Sequence, residues 1–178
     1  MKHILLVFLL LSGLSINAQK TETDTATSKQ PESWDRYYPG IRIGFGTHKA
    51  FYSEIGLVWQ RFHFDPRRGF AANTYYTAFE WTPGTKRRVG VYGIKIGAES
   101  VYNAGTGGIE IKYLKDTGRH DVVVTPKLGL GAGVLTFFYG YNLSVNKFPF
   151  DHIRRHQFSL TINTSAVYYD WRRKRSKR

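Results

Sequence analysis

The chain contains no cysteine. That excludes disulfides, thiolate metal sites, a cysteine nucleophile and a lipidated cysteine anchor. Acidic residues are few, 13 Asp and Glu against 26 Lys and Arg, so the formal net charge is +13. Such an excess of cations suits an anionic partner, and composition does not choose among nucleic acid, anionic lipid and another acidic polymer. Charged residues make up only 22% of the chain and hydrophobic ones 42%, which excludes general disorder. No apolar run reaches the roughly 20 residues of a transmembrane helix. No stretch carries the i, i+3, i+4 periodicity of an amphipathic helix. Abundant instead are aromatics, at 16%, and 18 glycines, the profile of a turn-rich β-protein.

The first residues read as an export signal. Lys2 and His3 give a positive start, Ile4 to Leu11 is unbroken apolar sequence, and Ser15-Ile16-Asn17-Ala18 offers a small-residue cleavage site before Gln19. Residues 1–18 are therefore expected to be a signal peptide. Its removal takes away one counted cation, Lys2, and lowers the charge from +13 to +12. Export makes intracellular nucleic acid a poor partner despite the charge. Residues 19–39 are expected to form a flexible periplasmic leader, polar until Trp34, Tyr37, Tyr38 and Pro39 close it.

From Gly40 to Trp171 the pattern has a period of two. Eight alternating runs are expected: Ile41 to Thr47, Phe51 to Phe62, Ala72 to Trp81, Val89 to Tyr102, Gly107 to Lys115, Asp121 to Leu130, Ala132 to Val145, and Gln157 to Tyr169. Turn chemistry separates most of them, as in Asp65-Pro66-Arg67-Arg68-Gly69, Pro83-Gly84 and Asp116-Thr117-Gly118. Pro126 is the exception, a proline inside a run.

Side chains alternate across a strand, so each run has two faces. One face is apolar and aromatic, with Ile41, Ile43, Ile55, Leu57, Trp59, Phe79, Trp81, Ile94, Ile96, Ile111, Leu128, Phe137 and Leu160. The other is polar and rich in Gly. It carries Arg42, Lys95, Lys112 and Lys127 with Glu54, Glu80, Glu99 and Glu110. These eight charges sum to zero in a strongly basic chain. A solvated face has no need to balance, whereas a confined one does, because an unpaired buried charge costs several kcal/mol (order of magnitude). The pattern therefore predicts an all-β, eight-stranded antiparallel transmembrane barrel over residues 40–171. Its apolar band faces out and a charge-paired lumen lies inside. Aromatic residues near run ends, such as Trp34, Tyr37, Tyr38, Trp81, Tyr102, Tyr168, Tyr169 and Trp171, fit interfacial girdles. The competing arrangement is a secreted soluble β-barrel that binds a small apolar ligand.

The exported start, the eight runs, the aromatic ends and two segments carry a resemblance. The segments are Val124-Thr125-Pro126-Lys127-Leu128-Gly129-Leu130 and Phe138-Tyr139-Gly140-Tyr141-Asn142. The chain resembles the small eight-stranded outer-membrane β-barrel proteins of diderm bacteria, over about Gly40 to Trp171. That resemblance implies residence in the cell outer membrane and insertion by the outer-membrane assembly machinery. Members of this kind commonly end on an aromatic residue, and here seven residues follow Trp171. The basic run at 172–178 is expected to be a periplasmic tail.

With both ends in the periplasm, the connections after runs 1, 3, 5 and 7 face outward. Lys86, Arg87, Arg88, Arg119, Arg154 and Arg155 lie in three of them and are expected to contact anionic glycolipid headgroups. No cofactor or metal is expected, and the role is read as structural or binding, not enzymatic. Ser53 with Glu54, and His156 with Ser159, are the nearest approaches to a nucleophile and base, but Ser53 falls on the apolar face. His48, His63, His120, His152 and His156 all fall in or beside connections. No G-x-S-x-G, H-E-x-x-H or phosphate-cradling loop occurs. Eight strands leave an interior that side chains fill, which leaves only a narrow gated pore as a conducting alternative.

Overall fold

The computed structural model describes residues 36–65, 69–84, 89–131, 134–147, 149–150 and 153–165. The expected signal peptide, nearly all of the leader, Lys86, Arg87, Arg88, His152, the girdle residues Trp34, Tyr168, Tyr169 and Trp171, and the basic tail lie outside the described residues.

Among the described residues nine β-elements follow one another: β1 (Tyr38–Lys49), β2 (Phe51–Asp65), β3 (Gly69–Thr82), β4 (Val91–Tyr102), β5 (Gly105–Lys115), β6 (His120–Gly131), β7 (Leu135–Tyr141), β8 (Leu143–Ser144) and β9 (Ile153–Asn163). Every neighbour pairs antiparallel, and β9 returns to β1, so the sheet closes with no free edge. β7 and β8 are two pieces of one strand that runs along β6. The molecule is thus an eight-stranded antiparallel closed barrel.

Proline explains the broken strand. Lys127 pairs with Gly140 and Val124 with Leu143, and between them Pro126 and Thr125 stand opposite Tyr141 and Asn142 outside the ladder. Proline has no N–H to donate there. Asn142 bonds elsewhere: its backbone N–H donates to Arg155 O (2.6 Å) and its side-chain amide to Arg154 O (2.7 Å). Thr125 Oγ1 donates to Asn142 Oδ1 at 2.6 Å.

Several run boundaries move. β1 begins at Tyr38 and continues through His48 to Lys49, a segment expected to be a turn. The reversal is compressed into Ala50 beside Lys49, whose φ is 103°. β9 begins at Ile153, so Arg154, Arg155 and His156 belong to a strand and not to the preceding connection. Tyr38 does not join an outer girdle; it packs inward against Phe62.

Connections differ in length between the two ends. The end that gathers the links after β1, β3, β5 and β8 carries the two longest, 83–90 and 145–152. The opposite end has only 66–68, 103–104 and 132–134. Inside the barrel, an apolar cluster sits at each end. Val91, Leu114, Val123, Phe150 and Ile153 pack at the long-loop end. Phe62, Ala72 and Val101, with Tyr38 and Phe70, pack at the short-turn end. Polar side chains fill the space between.

Asn142 holds the break together, so its replacement should be costly. Asn142→Ala leaves the Thr125 hydroxyl and the Arg154 carbonyl without their partner and should lower stability by about 1–3 kcal/mol. The check is the urea midpoint for loss of the folded band on an unboiled gel.

Candidate functional site

The eight charged residues of the polar face all project into the barrel and all are buried. They come from β1 to β6. Their ion pairs form a closed cycle of alternating sign. Glu54 meets Arg42 Nε at 2.8 Å, and Arg42 Nη2 meets Glu99 at 2.8 Å. Glu99 meets Lys127 at 2.7 Å, and Lys127 meets Glu110 at 3.0 Å. Glu110 meets Lys112 at 3.0 Å, and Lys112 reaches Glu80 at 3.6 Å. Glu80 meets Lys95 at 2.8 Å, and Lys95 returns to Glu54. Each cation touches two carboxylates and each carboxylate two cations.

This cycle reverses what the strand ladder alone would do. Glu54 stands directly opposite Glu80 on β3, and Lys95 directly opposite Lys112 on β5. Like charges in such positions repel on an open sheet. Lys95, diagonal to Glu80 across the ladder, also reaches Glu54 two strands away, and Lys112, beside Glu110 on one strand, also reaches Glu80. Inward glycines make the room. A Cβ on Gly44 would fall 2.5 Å from Glu54 Cγ, and one on Gly97 would strike the Tyr76 hydroxyl.

Aromatic and amide groups complete the interior. Tyr76 donates its hydroxyl proton to Glu110 at 2.5 Å while accepting from Lys127 Nζ at 2.7 Å. The Arg42 guanidinium lies 3.9 Å from the centre of the Tyr76 ring, and Lys127 Nζ 4.4 Å from that of Phe138. Gln157 accepts from Lys112 and donates to the Tyr52 hydroxyl at 2.8 Å.

His48 belongs to this interior, contrary to its expected place in a turn. It is buried, stacks on Tyr52 at 4.7 Å, and its Nε2 lies 3.0 Å from Glu80 Oε1. A carboxylate already bound to Lys95 only accepts, so Nε2 carries the donated proton. Tyr52, Tyr76 and Phe138 were not singled out by alternation. Each is the second member of an aromatic doublet (Phe51-Tyr52, Tyr75-Tyr76, Phe137-Phe138), where apolar character marks neither face. The usable signal was parity with Glu54, Glu80 and Gly140.

The other singled-out residues disperse. Ser53 faces outward opposite Trp81 while Glu54 points in, so the two do not meet. Ser159 is buried, whereas His156 is exposed and bonded to the Tyr139 hydroxyl at 2.7 Å. Among the described residues, no group of three or more His, Asp and Glu side chains could hold a metal ion. Arg154 and Arg155 are exposed on β9. Arg119 is committed to the β5–β6 turn: its guanidinium pairs with Asp116 at 2.8 Å and also donates to Pro149 O. The same Asp116 carboxylate accepts the N–H groups of Gly118 (3.0 Å) and Arg119 (2.7 Å). Desolvation pushes this carboxyl up, but those N–H groups and the Arg119 guanidinium outweigh it and hold it below its ordinary range.

Comparison with protein-family models, with curated proteins and with solved structures finds no match.

Two outcomes follow for the interior and the turn. Glu80→Gln strips Lys95 and Lys112 of a shared anion and should cost roughly 3–5 kcal/mol, while Glu110→Gln combined with Lys112→Gln should cost less than the two single changes added. A double-mutant cycle on urea midpoints checks both. The depressed carboxyl of Asp116 stabilises the turn above its unfolded pKa, and this is lost as pH falls through its lower folded value. Amide exchange at Gly118, corrected for intrinsic rate, should therefore lose protection on acidification, and Asp116→Asn should flatten that dependence.

Proposed function

We propose that the protein is an exported outer-membrane β-barrel whose role is structural or binding, neither enzymatic nor conductive. One observation carries this reading: the barrel is inverted relative to a water-soluble one. Leu128, Ile94 and Ile55 are 71%, 61% and 59% exposed, whereas Arg42, Glu80, Lys95 and Glu110 are each 1% exposed. A continuous apolar belt of this kind is costly in water and matched by hydrocarbon.

The arrangement of the belt supports the same reading. Apolar side chains occupy its middle, where Ile43, Ile55, Phe79 and Ile94 lie in register across four strands. Aromatics flank it, with Trp81 beside Tyr92 toward the long loops and Trp59 beside Tyr75 toward the short turns. Long loops at one end and short turns at the other match an outer-membrane orientation, long loops outward. Outer-membrane lipid and the assembly machinery are then the implied partners. Anionic glycolipid headgroups are the further partner suggested by the basic long-loop end.

The competing functions find less support. A soluble carrier of an apolar ligand needs an apolar cavity inside, but the interior holds charged side chains already paired to one another. A pore needs a path, but apolar clusters lie inside at both ends and the charge cycle crosses the middle. What such a barrel offers is an anchor that presents its loops and outer rim.

Heat-modifiability on washed outer membranes tests the reading. The expected result is a membrane-bound band that changes mobility on boiling, with no conductance in planar bilayers. A soluble periplasmic protein with no shift would overturn it. Ile94→Lys and Phe137→Lys should each weaken insertion by about 2–4 kcal/mol, seen as loss of the shifted band, whereas in a soluble protein they would add charge to a solvated wall at little cost.

A further inference from the structure

We propose that the bulge at the start of β9 is a binding site for the phosphate group of a membrane lipid. The inference rests on the outer-membrane reading above and names the atoms that would meet the headgroup.

The site is built by a register slip. Lys49 pairs with Ile153 and Thr47 with Phe158, so β9 has extra residues where β1 has one. Bulges of this kind at a barrel rim re-aim side chains. Here Arg154, Arg155 and His156 are all exposed in succession instead of alternating. Their backbone is fixed, because Asn142 bonds to the carbonyls of both arginines at 2.7 and 2.6 Å. Lys49 adds a third exposed cation across the seam.

Charge makes the site selective for anions. Among the described residues no acidic side chain pairs with Arg154 or Arg155. The described acids at this end are engaged elsewhere. Asp116 holds Arg119, while Asp121 accepts from Ser144 (2.5 Å) and from the Asn146 N–H (3.0 Å). Two guanidinium forks on a fixed backbone match the oxygens of a phosphate monoester.

The surroundings favour a lipid over a free anion. Immediately toward the apolar belt, His156 is bonded to Tyr139, and Tyr139 packs on Phe158 at 5.3 Å between ring centres. These rings form an amphipathic shelf at the depth where headgroup meets acyl chain. A ligand with a phosphate beside an acyl chain uses both the cations and the shelf. Inorganic phosphate uses only the cations.

The experiment uses the full chain folded into zwitterionic detergent micelles. It is titrated with short-chain phosphatidic acid, with the matching diacylglycerol, and with inorganic phosphate, and bound ligand is counted by native mass spectrometry. Saturable binding of phosphatidic acid is expected, with no binding of diacylglycerol. Arg154→Gln with Arg155→Gln should weaken it by about tenfold or more. Lys115→Gln, elsewhere on the same rim, should leave it unchanged, and the unboiled-gel shift of every variant should be intact. Equal binding by the arginine variant would overturn the site. Displacement of the lipid by millimolar inorganic phosphate would make it a free-anion site and overturn the lipid assignment. A chain that folds and shifts on the gel yet shows no preference for the phosphorylated lipid defeats this inference alone. A chain that stays soluble and folded without detergent defeats the outer-membrane reading with it.

Discussion

A carboxylate withdrawn from water must be met by cations and donors, or it destabilises the structure that buries it. Four glutamates and four cations are withdrawn in this barrel, and each has two ionic partners of opposite sign. Much else in the molecule accommodates that cycle. The inward glycines leave space for side chains that lie across neighbouring strands. Tyr76, Gln157 and His48 occupy remaining hydrogen-bonding positions on the charged groups, and Tyr52 accepts from Gln157. Apolar clusters lie at both ends, and the paired groups themselves are almost wholly buried, so the pairs act through a medium of lower dielectric than water. The cost is specificity of a demanding kind, since loss of a single member leaves its neighbours charged and buried.

Filling the interior in this way limits what the barrel can do. The middle of the interior is occupied by the protein's own paired side chains, as expected for eight strands. The outer surface is then where the proposed contacts with outside molecules fall. Its belt is apolar, and polar side chains appear at both rims, Asn73 and Ser100 toward the short turns and Arg154 and Arg155 toward the long loops. There, the proline in β6 breaks the neighbouring strand at Asn142, and Asn142 in turn pins the bulge of β9. A single residue without an N–H is thus connected, through one asparagine, to the placement of two arginines on the outer wall.

Alternation made most of this architecture readable in advance. Charged residues were decisive because a Glu or Lys in a strand marks one face without ambiguity, as at Glu54, Lys95, Glu110 and Lys127. Where both neighbours are aromatic the mark is lost, so alternation alone does not place Tyr52, Tyr76 and Phe138 in the interior. His48 was missed for a different reason. Thr47-His48-Lys49-Ala50 has turn-like polarity, and only pairing of Lys49 with Ile153 extends the strand through it. Arg154 and Arg155 resembled loop residues because a bulge erases the period of two on which the strand reading depended.

The chain by itself determined its period, its eight alternating runs and the neutrality of one face, because those follow from which residue types occupy odd and even positions. Some pairs, such as Glu80 with Lys95 and Glu110 with Lys112, are near neighbours on the sheet, but those that span non-adjacent strands were decided only by the tertiary structure. Glu54 and Glu80 are like-charged neighbours along the ladder, and Lys95 and Lys112 are too, so local sequence suggests repulsion at both places. Curvature of the closed sheet turns these side chains toward one another across the interior. Partners 57 residues apart, such as Arg42 and Glu99, then lie within 2.8 Å, a proximity that no spacing along the chain encodes.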